Sequence, residues 1–202
     1  MKMTDKININ PLLPIFINPL KVKYLIIGGG KAGTEKLFFL LKNSPDANIT
    51  IVSLEVSLKI YELSNKHSNV KVQNKKFDRS DLIDKDIVII ATNHSDLNRE
   101  IRLEAKQMRL LVNVVDKPLL SDFYFGSVVT KGNLKVGIST NGKSPTFSKR
   151  FREILESILP DEVESVLDNL NKLRNSLKSD FTVKVRELNK ITSNLIIDNE
   201  RI

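Results

Sequence analysis

The chain of 202 residues contains no cysteine, which excludes disulfides, thiolate zinc sites and thiol nucleophiles together. Histidine is nearly absent too: His67 and His94 are the only two, too few for a His-rich metal site, and no metal ligand set is expected. Aromatic residues make up 6% of the chain, and neither a helix-turn-helix nor an aromatic-basic platform is visible, which argues against a nucleic-acid reader. No stretch approaches the roughly 20 apolar residues a membrane span requires. The start, MKMTDKININ, is too polar for a secretory signal. The expectation is a cytoplasmic protein without a membrane partner.

What is present describes an ordinary globular protein, 41% hydrophobic and 28% charged, with no long low-complexity tract. The length fits one large domain, or one domain with a smaller appendage. A net charge of +8 predicts attraction to anions. Residues 123 to 152 hold six basic residues (Lys131, Lys135, Lys143, Lys149, Arg150, Arg152) and no acid. That stretch reads either as a local positive field for an anionic ligand or as a solvated basic surface.

Val22 to Ile27 is a short apolar run that ends in three glycines, and Lys31 to Lys42 follows without a helix breaker. This predicts strand, tight turn and helix. Ser44-Pro45-Asp46 ends the helix and Ile49 to Val52 makes a second buried strand, completing a βαβ unit with parallel pairing. Alternation continues with a helix near 55–66, strands at 69–73 and 86–91, a helix at 95–108 and a strand at 110–115, which predicts an open parallel sheet. The rhythm then changes. Residues 123–130 and 133–139 are adjacent β-rich runs joined at Lys131-Gly132, read as an antiparallel hairpin. Ser144 is a candidate N-cap with Pro145 in the first helical position. Val163, Val166, Leu167, Leu170 and Leu173 form a helical stripe, and the tail from about 180 reads as a polar helix.

Gly28-Gly29-Gly30-Lys31-Ala32-Gly33 satisfies G-x-G-x-x-G between a predicted strand and a predicted helix. In that context the first glycine allows the turn, Gly30 lets backbone approach a pyrophosphate, and Gly33 permits close helix-strand packing. The unpaired N–H groups of the helix start face the phosphates. The acid that ordinarily ends the second strand is replaced by Ser53; Glu55, beyond Leu54, could reach the ribose or could simply favour a helix start. No arginine stands nearby for a 2′-phosphate, so NAD is favoured over NADP. Asn113 lies inside, and Asp116 just after, the last strand of the alternation, where side chains enter the crevice. Asp116 is a candidate acid or base, although a turn aspartate before Pro118 is the commoner reading of such a position. Ser139 to Pro145 is a hydroxyl-rich loop that could bind carboxylates or serve only as turn and cap.

Taken together these residues resemble the precorrin-2 dehydrogenases, including the N-terminal half of sirohaem synthases. The resemblance runs over roughly residues 11 to 160. It rests on Leu13-Pro14-Ile15-Phe16, the glycine turn followed by Glu35-Lys36, Ala91-Thr92-Asn93 with Asn98, Asn113-Val114-Val115-Asp116, Phe123, and Ser139-Thr140-Asn141-Gly142-Lys143-Ser144-Pro145. Two positions depart from the family pattern: Gly126-Ser127 stands where Pro-Ala or Pro-Ser is common, implying a looser strand, and Gly33 replaces a frequent alanine.

The resemblance implies an α/β fold: a Rossmann NAD-binding domain over 1–115, a small β-containing dimerisation region over 116–146 and a helical C-terminal domain over 147–202, in a homodimer. It implies NAD-dependent oxidation of precorrin-2 to sirohydrochlorin, with Asp116 as the catalytic residue. Gly28, Gly30, Lys31, Ala32, Gly33, Ser53, Leu54, Glu55, Thr92 and Asn93 would hold the cofactor, and Asn113, Thr140, Lys143, Ser144 and Arg150 the substrate, an anionic tetrapyrrole. With no room for a methyltransferase half, a separate enzyme is expected to supply precorrin-2. Two alternatives stand beside this reading. One is a bifunctional enzyme that also inserts ferrous iron or cobalt. The other is a non-catalytic NAD-sensing module, which would not need Asp116.

Overall fold

Residues 10–177 and 181–193 are described by the computed structural model, and they fall into two compact units that meet in sequence between Phe125 and Gly126. The first unit runs β1 (Lys23–Gly29), α1 (Lys31–Asn43), β2 (Asn48–Val56), α2 (Leu58–Lys66), β3 (Val70–Asn74), β4 (Ile87–Ile90), α3 (Ser95–Gln107) and β5 (Leu111–Val114). The strands form one sheet in the order β3-β2-β1-β4-β5, parallel throughout. The expected Rossmann-type sheet is therefore present. Strand order reverses between β1 and β4, and the crevice at their carboxyl ends is where such sheets bind ligands.

Alternation along the strands explains why helices cover both faces. In β1, Tyr24 and Ile26 point into a cluster with Leu37, Leu40 and Leu41 of α1, while Leu25 and Ile27 point into a second cluster with Ile101 and Ala105 of α3. Ile87 and Ile89 against Val88 and Ile90 repeat the division in β4. Each such fully buried side chain contributes about 1.5–3 kcal/mol.

β2 continues to Val56, four residues beyond the expected Val52, and α2 begins only at Leu58, with the Ser57 hydroxyl accepting the Ile60 N–H as its cap. Glu55 is thus a strand residue, and the helix-start reading of it is corrected. The extension survives because β2 is paired on both sides: Ser53 lies opposite Asn74 of β3, and Val56 opposite Gly29 of β1.

The free edge of β5 is covered by residues 121–123. The Asp122 carboxylate accepts the Val112 N–H at 2.9 Å, the Ser121 hydroxyl accepts the Val114 N–H at 3.0 Å, and the Asp122 N–H donates to the Val112 carbonyl at 2.7 Å. Side chains here stand in for a sixth strand and blunt the edge. The expected strand from residue 123 accordingly does not form. Phe123 and Phe125 instead pack on the first core cluster, and Phe39, Phe125 and Phe123 meet edge to face in sequence at 5.1 and 5.3 Å.

The second unit begins with the expected hairpin, β6 (Ser127–Lys131) and β7 (Leu134–Ile138), antiparallel with Val129 opposite Val136. Gly126 does not loosen β6. A Cβ there would lie 2.4 Å from the Ile138 carbonyl oxygen, so glycine is what lets the backbone close onto β7. Helices α4 (Pro145–Ile158), α5 (Val163–Ser176) and α6 (Phe181–Thr192) follow. Ser144 caps α4 through the Phe147 N–H at 3.1 Å with Pro145 in the first turn, as its sequence predicts. Residues 194–202 of the expected tail lie outside the described residues.

Candidate functional site

A cleft of about 800 Å³ opens at the carboxyl ends of the strands. β1 delivers the glycine turn to it. Gly28 has φ 111° and its missing side chain admits the Ala91 carbonyl oxygen, 2.4 Å from where a Cβ would lie. Gly33 is buried beneath the turn, its Cβ position only 1.9 Å from the Gly28 carbonyl oxygen, so α1 rests directly on the end of β1. Gly30 is the opposite case: it is exposed, and a Cβ there would meet nothing within 4 Å. Bare backbone at the start of α1 therefore faces open cleft, which fits a pyrophosphate. Thr34 stabilises this corner by donating to the Gly30 carbonyl at 2.9 Å and sharing a 2.8 Å hydrogen bond with Ser57.

Gly28, Gly30, Lys31, Ala32, Ser53, Leu54, Glu55, Thr92, Asn93 and Asp116, drawn from four separate stretches of chain, all line this one cleft. The Ser53 hydroxyl donates to the Glu55 carbonyl at 2.7 Å. On the far side, buried Asn98 of α3 pins the loop after β4: its Oδ1 accepts from the Thr92 hydroxyl at 2.5 Å and its Nδ2 donates to the Thr92 carbonyl at 3.0 Å. The shape of the Thr92-Asn93 loop thus rests on one buried amide.

Asp116 is exposed at the end of β5 and has φ 58°, a left-handed conformation that aspartate tolerates better than most residues. Asn113 lies off the cleft lining. It is buried at 6% exposure, its Nδ2 donates to the Phe123 carbonyl at 2.8 Å, and its Oδ1 is buried without a partner. Its role in this structure is to hold the segment that covers β5. His94 also lines the cleft, at the start of α3.

Lys36, Lys76 and Phe77 line the cleft as well and were not among the residues picked out for it from the sequence. A signal existed for Lys36. It lies four residues after Ala32, hence on the same face of α1. Burial draws the Lys36 ammonium below the usual lysine range, and the charges of Asp116 and then Glu35 act against that. Its Nζ stands 5.2 Å from the centroid of the Phe125 ring.

The match of residues 15–127 is to a family described as "Putative NAD(P)-binding", and residues 131–158 match "Sirohaem biosynthesis protein central". The chain belongs to the sirohaem synthase N-terminal family. Among members of this family, the siroheme synthase of Pseudoalteromonas atlantica is 32% identical over 83% of the chain, and siroheme synthase 1 of Klebsiella pneumoniae is 32% identical over 84%. The chain spans about a third of the length of these relatives, 36% in both. Among solved structures, "SirC, precorrin-2 dehydrogenase" superposes with a TM-score of 0.69 at 25% identity, covering 94% of this chain and 96% of that one. The family therefore accounts for an NAD(P)-binding sheet followed by a hairpin and helices.

The remaining expected residues lie in the second unit. Thr140, Ser144 and Ser148 hydrogen-bond among themselves at 3.2–3.3 Å, and Lys143 is exposed. The basic stretch is not an unpaired positive field. Lys131 pairs with Asp161, Arg150 with Glu153 at 2.8 Å and Arg152 with Glu156 at 2.6 Å. Hydrogen bonds from Lys131 and Arg150 hold the Asp161 and Glu153 carboxyls below their usual range. These acids lie outside the stretch or follow it, and folding brings them back. Among the described residues, no group of three or more metal-ligating side chains converges, and no helix is long and apolar enough to cross a membrane.

Proposed function

We propose that this protein is an NAD-dependent dehydrogenase that oxidises precorrin-2 to sirohydrochlorin. The observation that carries the reading is the near full-length likeness to a precorrin-2 dehydrogenase, joined to a cleft in which Asp116 and the glycine turn face the same space. NAD, when bound, supplies the hydride acceptor. Gly30 and the first N–H groups of α1 take the pyrophosphate, Ser53, Leu54 and Glu55 flank the adenosine ribose, and the Thr92-Asn93 loop backs the nicotinamide end. The Asp116 carboxylate accepts the proton that leaves as the hydride departs from a ring carbon, so each turnover removes one hydride and one proton. Thr140, Lys143, Ser144 and Arg150 are the proposed substrate contacts of the second unit.

A homodimer is part of this proposal. Its support is a run of exposed apolar side chains at helical spacing on α4, namely Phe147, Phe151, Ile154 and Ile158, with the two rings stacked at 5.9 Å. Sedimentation of wild type against Phe151→Asp tests it, the variant being expected to sediment as a monomer. The activity is tested by supplying enzymatically made precorrin-2 anaerobically with NAD and following NADH absorbance and the sirohydrochlorin spectrum. Turnover by wild type and its loss in Asp116→Asn is the expected result; a folded, NAD-binding wild type without turnover overturns the assignment.

A further inference from the structure

We propose that Lys36 binds a carboxylate of the substrate, serving as the fixed cation of the cleft on the side where Asp116 stands; this rests on the dehydrogenase reading above. The other described lysines of the first unit are exposed, hold carboxylates or lie away from the cleft: Lys23 meets Asp84 at 2.5 Å, Lys75 meets Asp81 at 2.6 Å, Lys106 meets Asp122 at 2.7 Å, and half-buried Lys85 is not part of the cleft lining. Lys31 and Lys76, which share the cleft, are exposed and solvated. Lys36 is different. It is half-buried, lines the cleft, and has no carboxylate within ion-pair distance among the described residues. Its direct partner is the face of Phe125, which Phe39 and Phe123 brace edge to face.

A cation stripped of part of its water and given no contacting anion is costly to keep. Asp116, beyond β5, and Glu35, on the same helix, offset that cost from a distance. An incoming carboxylate would offset it by contact, as a charge-assisted hydrogen bond. The cofactor is not the natural source of that anion. Lys36 lies six residues along α1 from Gly30, about 9 Å at the helical rise, on the side of Asp116 and Phe125. A substrate carrying several carboxylates offers what this position lacks, and docking one of them there would set the rest of the ring against Asp116.

The experiment compares wild type with Lys36→Met, which keeps the apolar stem over Phe125, Lys36→Gln as a second neutral form, and Lys36→Arg, which keeps the charge. NAD affinity by fluorescence should be the same in all. KM for precorrin-2 should rise about ten- to a hundredfold in the neutral variants, the loss of one charged hydrogen bond, with kcat nearly held, and Lys36→Arg should recover most of it. Because the Lys36 ammonium lies below its usual range, wild-type KM should climb in alkaline solution as the proton leaves. In Lys36→Arg that climb should vanish, since guanidinium stays charged. An unchanged KM in Lys36→Met, or recovery by Met as complete as by Arg, overturns the proposal. So does a fall in kcat at constant KM, which would assign the charge to Asp116 rather than to a bound carboxylate. Fluorescence quenching on binding sirohydrochlorin reads the same contact without turnover. If wild type binds this tetrapyrrole more tightly than Lys36→Met yet does not oxidise precorrin-2, the dehydrogenase reading fails and the Lys36 contact stands.

Discussion

Replacing Gly30 by alanine should separate cofactor binding from folding, and the same change at Gly33 should not. Gly30 has φ −80° and ψ −160°, an extended backbone open to alanine, and the new methyl would touch no protein atom. The cost to folding is the poorer helix cap, roughly 0.5–1 kcal/mol, a fall in Tm of about 2–4 °C at most for a chain of this size. The methyl would instead occupy the place proposed for the pyrophosphate. Overpacking of about 1–3 kcal/mol weakens NAD binding about 5- to 150-fold. At Gly33 the methyl would lie 1.9 Å from the Gly28 carbonyl oxygen, about 1.5 Å short of the 3.4 Å at which ordinary contact begins. Alanine regains about 1 kcal/mol of helix propensity, but lifting α1 from β1 costs more. A net loss near 2 kcal/mol lowers Tm by about 4–8 °C, with NAD binding weakened as the turn deforms. Thermal melts by circular dichroism and NAD titration by fluorescence read both quantities. Wild-type NAD affinity in a folded Gly30→Ala protein would refute the placement of the pyrophosphate on this turn.

Further outcomes follow from single contacts. Asp116→Asn keeps a residue that tolerates the left-handed backbone, so its melt should match wild type while turnover falls about 10²- to 10⁴-fold; equal turnover removes Asp116 from the chemistry. Asp122→Ala strips the Val112 N–H and the Lys106 ammonium of their acceptor and should cost about 1.5–3 kcal/mol in urea unfolding, with NAD affinity unchanged. Asn98→Ala frees the Thr92 hydroxyl and carbonyl and should weaken NAD binding about tenfold, roughly one hydrogen bond's worth; an unaltered affinity would show that the loop holds its shape without the amide.

The glycine turn, the strand-helix alternation and the cap at Ser144 were legible in the sequence because each depends on neighbours within a few residues. Gly28 needs its φ, Ser144 needs the N–H of Phe147, and β1 needs alternate apolar side chains for two helices. Asp116 could be picked out by position at a strand end, though not separated from a turn aspartate by spacing alone. The length of β2 was not legible: Ser53 to Glu55 carry little apolar signal, and the strand continues there because β1 and β3 pair with it.

Side-chain partners were decided by tertiary structure alone. Asn113 looked like a crevice residue until its amide was found on Phe123, ten residues away. The basic stretch looked unopposed until α5 and its approach brought Asp161 to Lys131, thirty residues apart in the chain. Lys36 acquires its character from Phe125 and Asp116, residues some eighty or more positions downstream. Local order follows from backbone sterics and hydrophobic periodicity, which a linear chain displays openly. Charge compensation and desolvation depend on distances that exist only once the chain has folded.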